Sequence, residues 1–110
     1  MGWRIEYSQD ATADLKGIYK YIRDELHSKA SAGKQYKKII TAIHELGNFP
    51  MRYCRYEEGP WFSKGIRYMP IGNYIVFYLP DETKTKITVY RIMYGKRDLA
   101  NQLNQTKGEV

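Results

Sequence analysis

The apolar positions change period near the middle of the chain. Trp3, Ile5 and Tyr7 alternate with Arg4 and Glu6, the two-residue period of a half-buried strand. Ser8 then offers a hydroxyl to the unpaired amides of a helix start, and Asp10 complements the positive end of the helix dipole. Ala11, Leu15, Ile18, Ile22 and Leu26 follow at spacings of three and four, which predicts a helix with one apolar stripe. The small residues from Ser28 to Gly33 interrupt that stripe. A second stripe runs through Tyr36, Ile39, Ile40, Ile43 and Leu46. Gly47-Asn48-Phe49-Pro50 closes it, with Gly47 expected as a left-handed C-cap and Pro50 as a stop. Two amphipathic helices with a short link predict an antiparallel helical hairpin.

The remainder reads as β-structure. Met51 to Gly59 has no clear period and is expected to be a loop. Trp61 to Met69, Tyr74 to Leu79 and Lys86 to Tyr94 are rich in β-branched and aromatic residues and predict three strands. Gly72-Asn73 suits a two-residue hairpin turn, and Pro80 to Thr85 suits the next connection. Asp98 to Leu103 suits a short helical turn. The expected organisation is one domain over residues 1–105 and a flexible tail over residues 106–110. The fold class is α+β, in the order β-α-α-β-β-β, with the hairpin on one face of a small, mainly antiparallel sheet.

Pairing through these turns sets Ile71 opposite Tyr74, Arg67 opposite Tyr78, and Tyr78 opposite Ile87. Opposed residues share a face. One face then carries Ile66, Tyr68, Ile75, Phe77, Leu79, Tyr90 and Ile92, and is expected beneath the helices. The other carries Arg67, Met69, Tyr74, Val76, Tyr78, Ile87, Val89, Arg91 and Met93, and is expected to stay open. Arginine, tyrosine and aliphatic residues on an open face form an interface-like surface.

Composition narrows the partner. Of 110 residues, 43 % are hydrophobic and 27 % charged, the mixture of an ordinary globular domain. No stretch has the apolar length of a membrane helix, and the first residues lack an apolar signal region, so the expected compartment is the cytoplasm and no membrane partner is expected. The single cysteine, Cys54, excludes an internal disulfide and a multi-cysteine metal site; no metal or cofactor is expected. The net charge is +6, and there are eleven tyrosines. In the second half, Lys64, Arg67, Lys86, Arg91, Lys96 and Arg97 place positive charge on the strands and their C-terminal edge. The acids of that half, Glu57, Glu58, Asp81, Glu82, Asp98 and Glu109, are expected in loops and beyond.

Several segments in this order resemble the RelE/ParE superfamily of toxins from type II toxin–antitoxin systems. They are Asp14-Leu15 with Ile18 and Tyr21-Ile22, Leu46 with Phe49-Pro50, and Gly65-Ile66-Arg67. Gly72-Asn73-Tyr74-Ile75-Val76-Phe77-Tyr78 and Val89 with Arg91-Ile92-Met93-Tyr94-Gly95-Lys96-Arg97-Asp98 complete the set. The ending Arg-Ile-x-x-Gly-x-Arg-Asp is more similar to ParE-like members than to the ribosome-dependent RNases. The resemblance implies a growth-arresting toxin, of the kind found in plasmid stabilization, that is restrained by an antitoxin encoded beside it. ParE-like members poison DNA gyrase. In the RNase branch the basic residue after the last-strand glycine contributes to cleavage, and Arg97 matches it. A tyrosine that several of those nucleases carry six residues further on falls on Leu103. Their strand basic residues fall near Ile66, Tyr68 and Ile75.

Metal-free RNA cleavage requires a base, cations around the phosphate and an acid for the leaving oxygen. His27 and His44 lie on the helices, away from the basic strands, and read as structural or solvent-facing. Arg67, Tyr94 and Arg97 are the candidates for an endoribonuclease, with Lys96 beside them. Their ordinary pKa values near or above 10 suit phosphate contact better than proton transfer. Arg67, Tyr74, Tyr78, Arg91, Tyr94, Lys96 and Arg97 are the candidate antitoxin- or target-binding residues. Against this stand plainer readings: Arg67 and Arg91 as solvated charges, Tyr68 and Tyr90 as core, Gly95 as a turn residue, Asp98 as a cap and Cys54 as an inert loop residue. Three functions are therefore weighed: a gyrase-directed toxin, a ribosome-dependent mRNA endoribonuclease, and a non-toxic binding module of the same fold. The first two share an acidic, partly disordered antitoxin as partner.

Overall fold

A computed structural model describes residues 2–24, 29–56 and 65–95. Strand β1 (Arg4–Tyr7) leads into helix α1 (Gln9–Asp24) and helix α2 (Lys29–Glu45), followed by β2 (Arg67–Ile71), β3 (Tyr74–Asp81) and β4 (Lys86–Tyr94). The sheet order is β1-β4-β3-β2. β1 lies parallel to β4, and the other neighbours are antiparallel. The path from β1 through both helices to β2 is thus a crossover between parallel strands at opposite edges of one sheet.

Ser8 sits at the junction of sheet and helix. Its amide donates to the Val89 carbonyl, its hydroxyl donates to the Tyr90 carbonyl at 2.8 Å, and its oxygen accepts from the Ala11 amide at 3.0 Å. The last contact is the expected N-cap. Replacing Ser8 with alanine removes a cap and a sheet bond together. A loss of about 1–2 kcal/mol is expected, read as a lower urea midpoint with an unchanged slope.

Helix α2 begins earlier than the second stripe suggested. Lys29 to Gly33 is its first turn and a half, not a link. The alanines there are strong helix formers, and Ala32 is fully buried. Gly47 does not adopt the left-handed C-cap: positive φ occurs at Gly65, Gly72 and Thr85 among the described residues. Its glycine identity answers to close approach instead. The Gly47 carbonyl accepts from the Trp3 amide at 2.8 Å, and a Cβ on Gly47 would stand 3.0 Å from the Trp3 carbonyl.

The hairpin register Ile71↔Tyr74 to Arg67↔Tyr78 is as expected. Only Gly72 in the turn carries positive φ (58°), the pattern of a type II′ turn. The second connection is shorter than expected. Pro80 pairs with Ile87 and Asp81 with Lys86, so Tyr78 lies opposite Val89 and not Ile87. A register shift falls between Phe77, which pairs with Arg91, and Tyr78; Tyr90 is the extra residue. Beyond this bulge the faces of β4 exchange, so that Ile92 joins one core and Met93 the other.

The face beneath the helices is the reverse of the expected one. Met69, Ile71, Val76, Tyr78, Ile87, Val89 and Ile92 pack against Ala11, Leu15, Ile39, Ile43 and Leu46. Ile66, Phe77, Tyr90 and Met93 form a second cluster on the opposite face. Tyr56 meets Phe77 edge-on at 5.2 Å there. Two arginines had argued for an open face, and neither requires one. Arg67 begins β2 and its long side chain reaches past the core to loop carbonyls; Arg91 sits at the bulge and turns toward α1. What remains of that face is apolar and takes the helices.

Residues 51–56, expected as a plain loop, line the outer edge of β2. Arg55 bridges to Arg67, the Tyr56 amide donates to the Ile66 carbonyl, and the Tyr68 amide donates to the Cys54 carbonyl. An otherwise free strand edge is thereby covered. No helix among the described residues is long and apolar enough to cross a membrane.

Candidate functional site

The candidate residues separate into four groups. Tyr78 is fully buried in the core beneath the helices, which corrects its placement on an accessible surface. Its hydroxyl has no hydrogen-bond partner of good geometry among the described residues, and burial pushes its pKa up to about 12 against a smaller lowering by the Tyr53 backbone and Arg67. Arg67 is taken up internally, donating to the Tyr53 and Met51 carbonyls at 2.5 and 3.4 Å. Tyr74, Arg91 and Tyr94 come together at the far end of the sheet. Lys96 and Arg97 lie outside the described residues, as do His27, Asp98 and Leu103.

The residues proposed for RNA cleavage do not converge where they are described. Arg67 pairs with Tyr78, whereas Tyr94 pairs with Tyr74. Four residues of β3 separate the two levels, roughly 13 Å at the rise of a strand. His44 is exposed on α2. Among the described residues, no cluster of three or more histidine, cysteine or acidic side chains is placed to hold a metal.

The site that does form is a groove of about 840 Å³ between α1 and the ends of β3 and β4. Gly17, Ile18 and Tyr21 form one wall; Tyr74, Arg91 and Tyr94 contribute to the other. Tyr21 is 54 % exposed. The Tyr74 and Tyr94 rings meet edge-to-face at 5.8 Å. Their strands are locked at this end by the Gly95 amide donating to the Asn73 carbonyl.

Asp14 organises the groove floor. One carboxylate oxygen accepts from Arg91 Nε at 2.7 Å and from the Ile92 amide at 2.9 Å; the other accepts from Arg91 Nη2 at 3.0 Å. The carboxylate holds the Arg91 pKa above even its ordinary high value. Arg91 is therefore an ion-paired residue, not a solvated charge. Asp14 was legible as part of the Asp14-Leu15 segment of the family resemblance, but not as the partner of Arg91. The available signal was its position three residues after Ala11 and four before Ile18, at the border of the buried stripe.

An open strand edge borders the same groove. β1 ends opposite Val89, so among the described residues β4 continues without a strand neighbour on that side. Gly95 bonds to Asn73, so the strand alternation turns the backbone groups of Ile92 and Tyr94 away from β3. Asp14 takes the Ile92 amide, and the alternation leaves the Ile92 carbonyl and the Tyr94 amide on the side of β4 away from β3.

A helical hairpin on one face of this four-stranded sheet is the architecture of RelE/ParE-like toxins. The fold is similar to the chromosomal ParDE toxin–antitoxin system from P. aeruginosa, with a TM-score of 0.69 and 20 % identity over 84 % of this chain and 95 % of that one. It is similar also to the RelBE2 toxin–antitoxin complex from Mycobacterium tuberculosis, with a TM-score of 0.65 and 14 % identity over 86 % and 99 % of the two chains. A free-state variant of the E. coli toxin RelE gives a TM-score of 0.55 and 14 % identity over 96 % and 94 %. No curated protein sequence matches the chain. Residues 5–99 match the family described as the ParE toxin of the type II toxin–antitoxin system parDE, and the chain belongs to that family.

Proposed function

We propose that this toxin acts in the cytoplasm by inhibiting DNA gyrase and is restrained by an antitoxin segment seated in the groove between α1 and the β3–β4 end. The observation that carries the gyrase reading is the match to the ParE family over residues 5–99. The separation of Arg67 from Tyr94 adds to it, because an RNase would need its described candidates at one phosphate. Purified protein is expected to inhibit supercoiling by gyrase, and expression in cells is expected to produce DNA breaks. Normal supercoiling with a rapid arrest of translation, and cut transcripts by primer extension, would instead establish the mRNA endoribonuclease.

The antitoxin part rests on the groove. It offers apolar and aromatic walls and backbone groups of β4 beyond the end of β1, which is what an extended, partly disordered segment requires. Ile18→Asp and Tyr94→Ala are expected to weaken the heterodimer at least tenfold by calorimetry. Arg67→Ala, whose side chain is occupied by its own loop, is expected to leave affinity within a factor of two. The reverse ranking would move the contact surface to the β2 edge.

A further inference from the structure

Helix α1 carries a second concavity on its opposite flank. The antitoxin groove uses Gly17, Ile18 and Tyr21 of α1, whereas Lys16, Tyr19, Lys20 and Arg23 line a depression of about 340 Å³ closed by Tyr36 of α2. At 100° per residue these two sets lie well over 90° apart around the helix. We infer that the depression between α1 and α2 is a docking site for single-stranded nucleic acid.

The argument is one of charge and ring chemistry. Among the described residues, Lys16, Lys20 and Arg23 border the depression with two tyrosines, and no acidic side chain lines it. Its surface is made by the rings and the apolar stems of the cations, and Asp24 pairs with Arg23 at its edge. Lys16, Lys20 and Arg23 follow one another by one helical turn, so their charges form a row roughly 10 Å long. A row of that length spans neighbouring phosphates of an extended strand. The aromatic pair supplies the second half of the requirement. Tyr19 and Tyr36 meet edge-to-face at 6.1 Å and 87°, and Tyr36 is 42 % exposed. Arg23 lies 5.8 Å from the Tyr19 ring centre and is held at its other side by the neighbouring Asp24. A cationic row tracking phosphates beside an available ring is how single strands are bound without sequence readout, since every base has a face to stack. A duplex keeps its bases stacked internally and has no use for the rings.

The depression lies outside the groove proposed for the antitoxin, so a segment seated in that groove leaves it accessible. The test uses a fluorescently labelled twelve-nucleotide single strand, in DNA and RNA forms, titrated with the full-length protein at 50 and 150 mM salt. Binding that weakens with salt is expected. Lys16→Ala with Lys20→Ala is expected to lower affinity at least fivefold and to flatten the salt dependence by between one and two released ions. Tyr36→Ala is expected to weaken binding severalfold with the salt slope intact, and Tyr36→Phe to restore it, with all variants keeping the wild-type melting temperature. Equal binding by wild type and variants would overturn the site. Tighter binding of the duplex would overturn its single-strand character, and stronger binding of a polyglutamate peptide would make it an acidic-protein site.

Discussion

Asp14→Ala is expected to destabilise the protein by about 3 kcal/mol. Three donors converge on this carboxylate: two nitrogens of the Arg91 fork and the Ile92 amide. Both side chains are mostly shielded, at 15 % and 16 % exposure. Breaking a buried pair costs about 3–5 kcal/mol because the surviving charge stays desolvated. The residual exposure reduces that penalty, while the orphaned Ile92 amide adds about 1 kcal/mol or more. Arg91→Met is expected to cost less, about 1–2 kcal/mol, because the carboxylate still accepts from Ile92. Urea unfolding of the two single variants and the double variant gives the coupling directly, and it is expected to exceed 1 kcal/mol. A loss below about 1 kcal/mol for Asp14→Ala would mean that the β4 edge is fixed by other contacts. The Asp14 cluster joins α1 to the only part of β4 that β1 does not reach, so it also sets the width of the groove.

Much of this architecture was legible because it depends on local chemistry. Lys86 to Tyr94 is a strand for its whole predicted length, and the two-residue turn at Gly72 fixes the β2–β3 register. Face membership along β2 and β3 follows from that turn alone. What failed depends on contacts between distant residues. The bulge at Tyr90 adds one residue to β4 and exchanges Ile92 with Met93, and nothing in Val89-Tyr90-Arg91 announces it. The choice of face beneath the helices turned on two arginines. Each satisfies its charge away from the sheet surface, at the Tyr53 carbonyl and at Asp14, through partners 14 and 77 residues away in sequence. The groove was half legible. Tyr74, Arg91 and Tyr94 were recognised as candidates, but Asp14, Ile18 and Tyr21 enter it because α1 runs beside the β4 edge. The tyrosine-rich composition proved ambiguous in the same way, since Tyr78 is core, Tyr94 lines the groove and Tyr36 is exposed.

Tyr78 makes the fold sensitive to alkali. Its pKa is pushed up to about 12 by burial, whereas the unfolded chain releases the same proton near the ordinary value of 10. Between these values the folded state binds more protons than the unfolded state, so stability falls as pH rises through that window. Below pH 10 both states are protonated and the group contributes no slope. Once both have ionised, the accumulated loss is on the order of 2–3 kcal/mol. Tyr7 is raised too, by burial first and by Tyr36 second, and acts in the same direction. Urea midpoints measured from pH 8 to pH 11.5 are expected to fall steeply above pH 10 in the wild type. In Tyr78→Phe most of that slope is expected to disappear. At pH 7 the same variant is expected to match the wild type or exceed it by up to about 1 kcal/mol, since the hydroxyl it deletes is buried without a well-formed hydrogen bond. An unchanged alkaline slope would place the sensitive group elsewhere. A loss above 1 kcal/mol at neutral pH would show that the hydroxyl is bonded in solution, and that the contact between β3 and residues 53–54 is tighter than its geometry indicates.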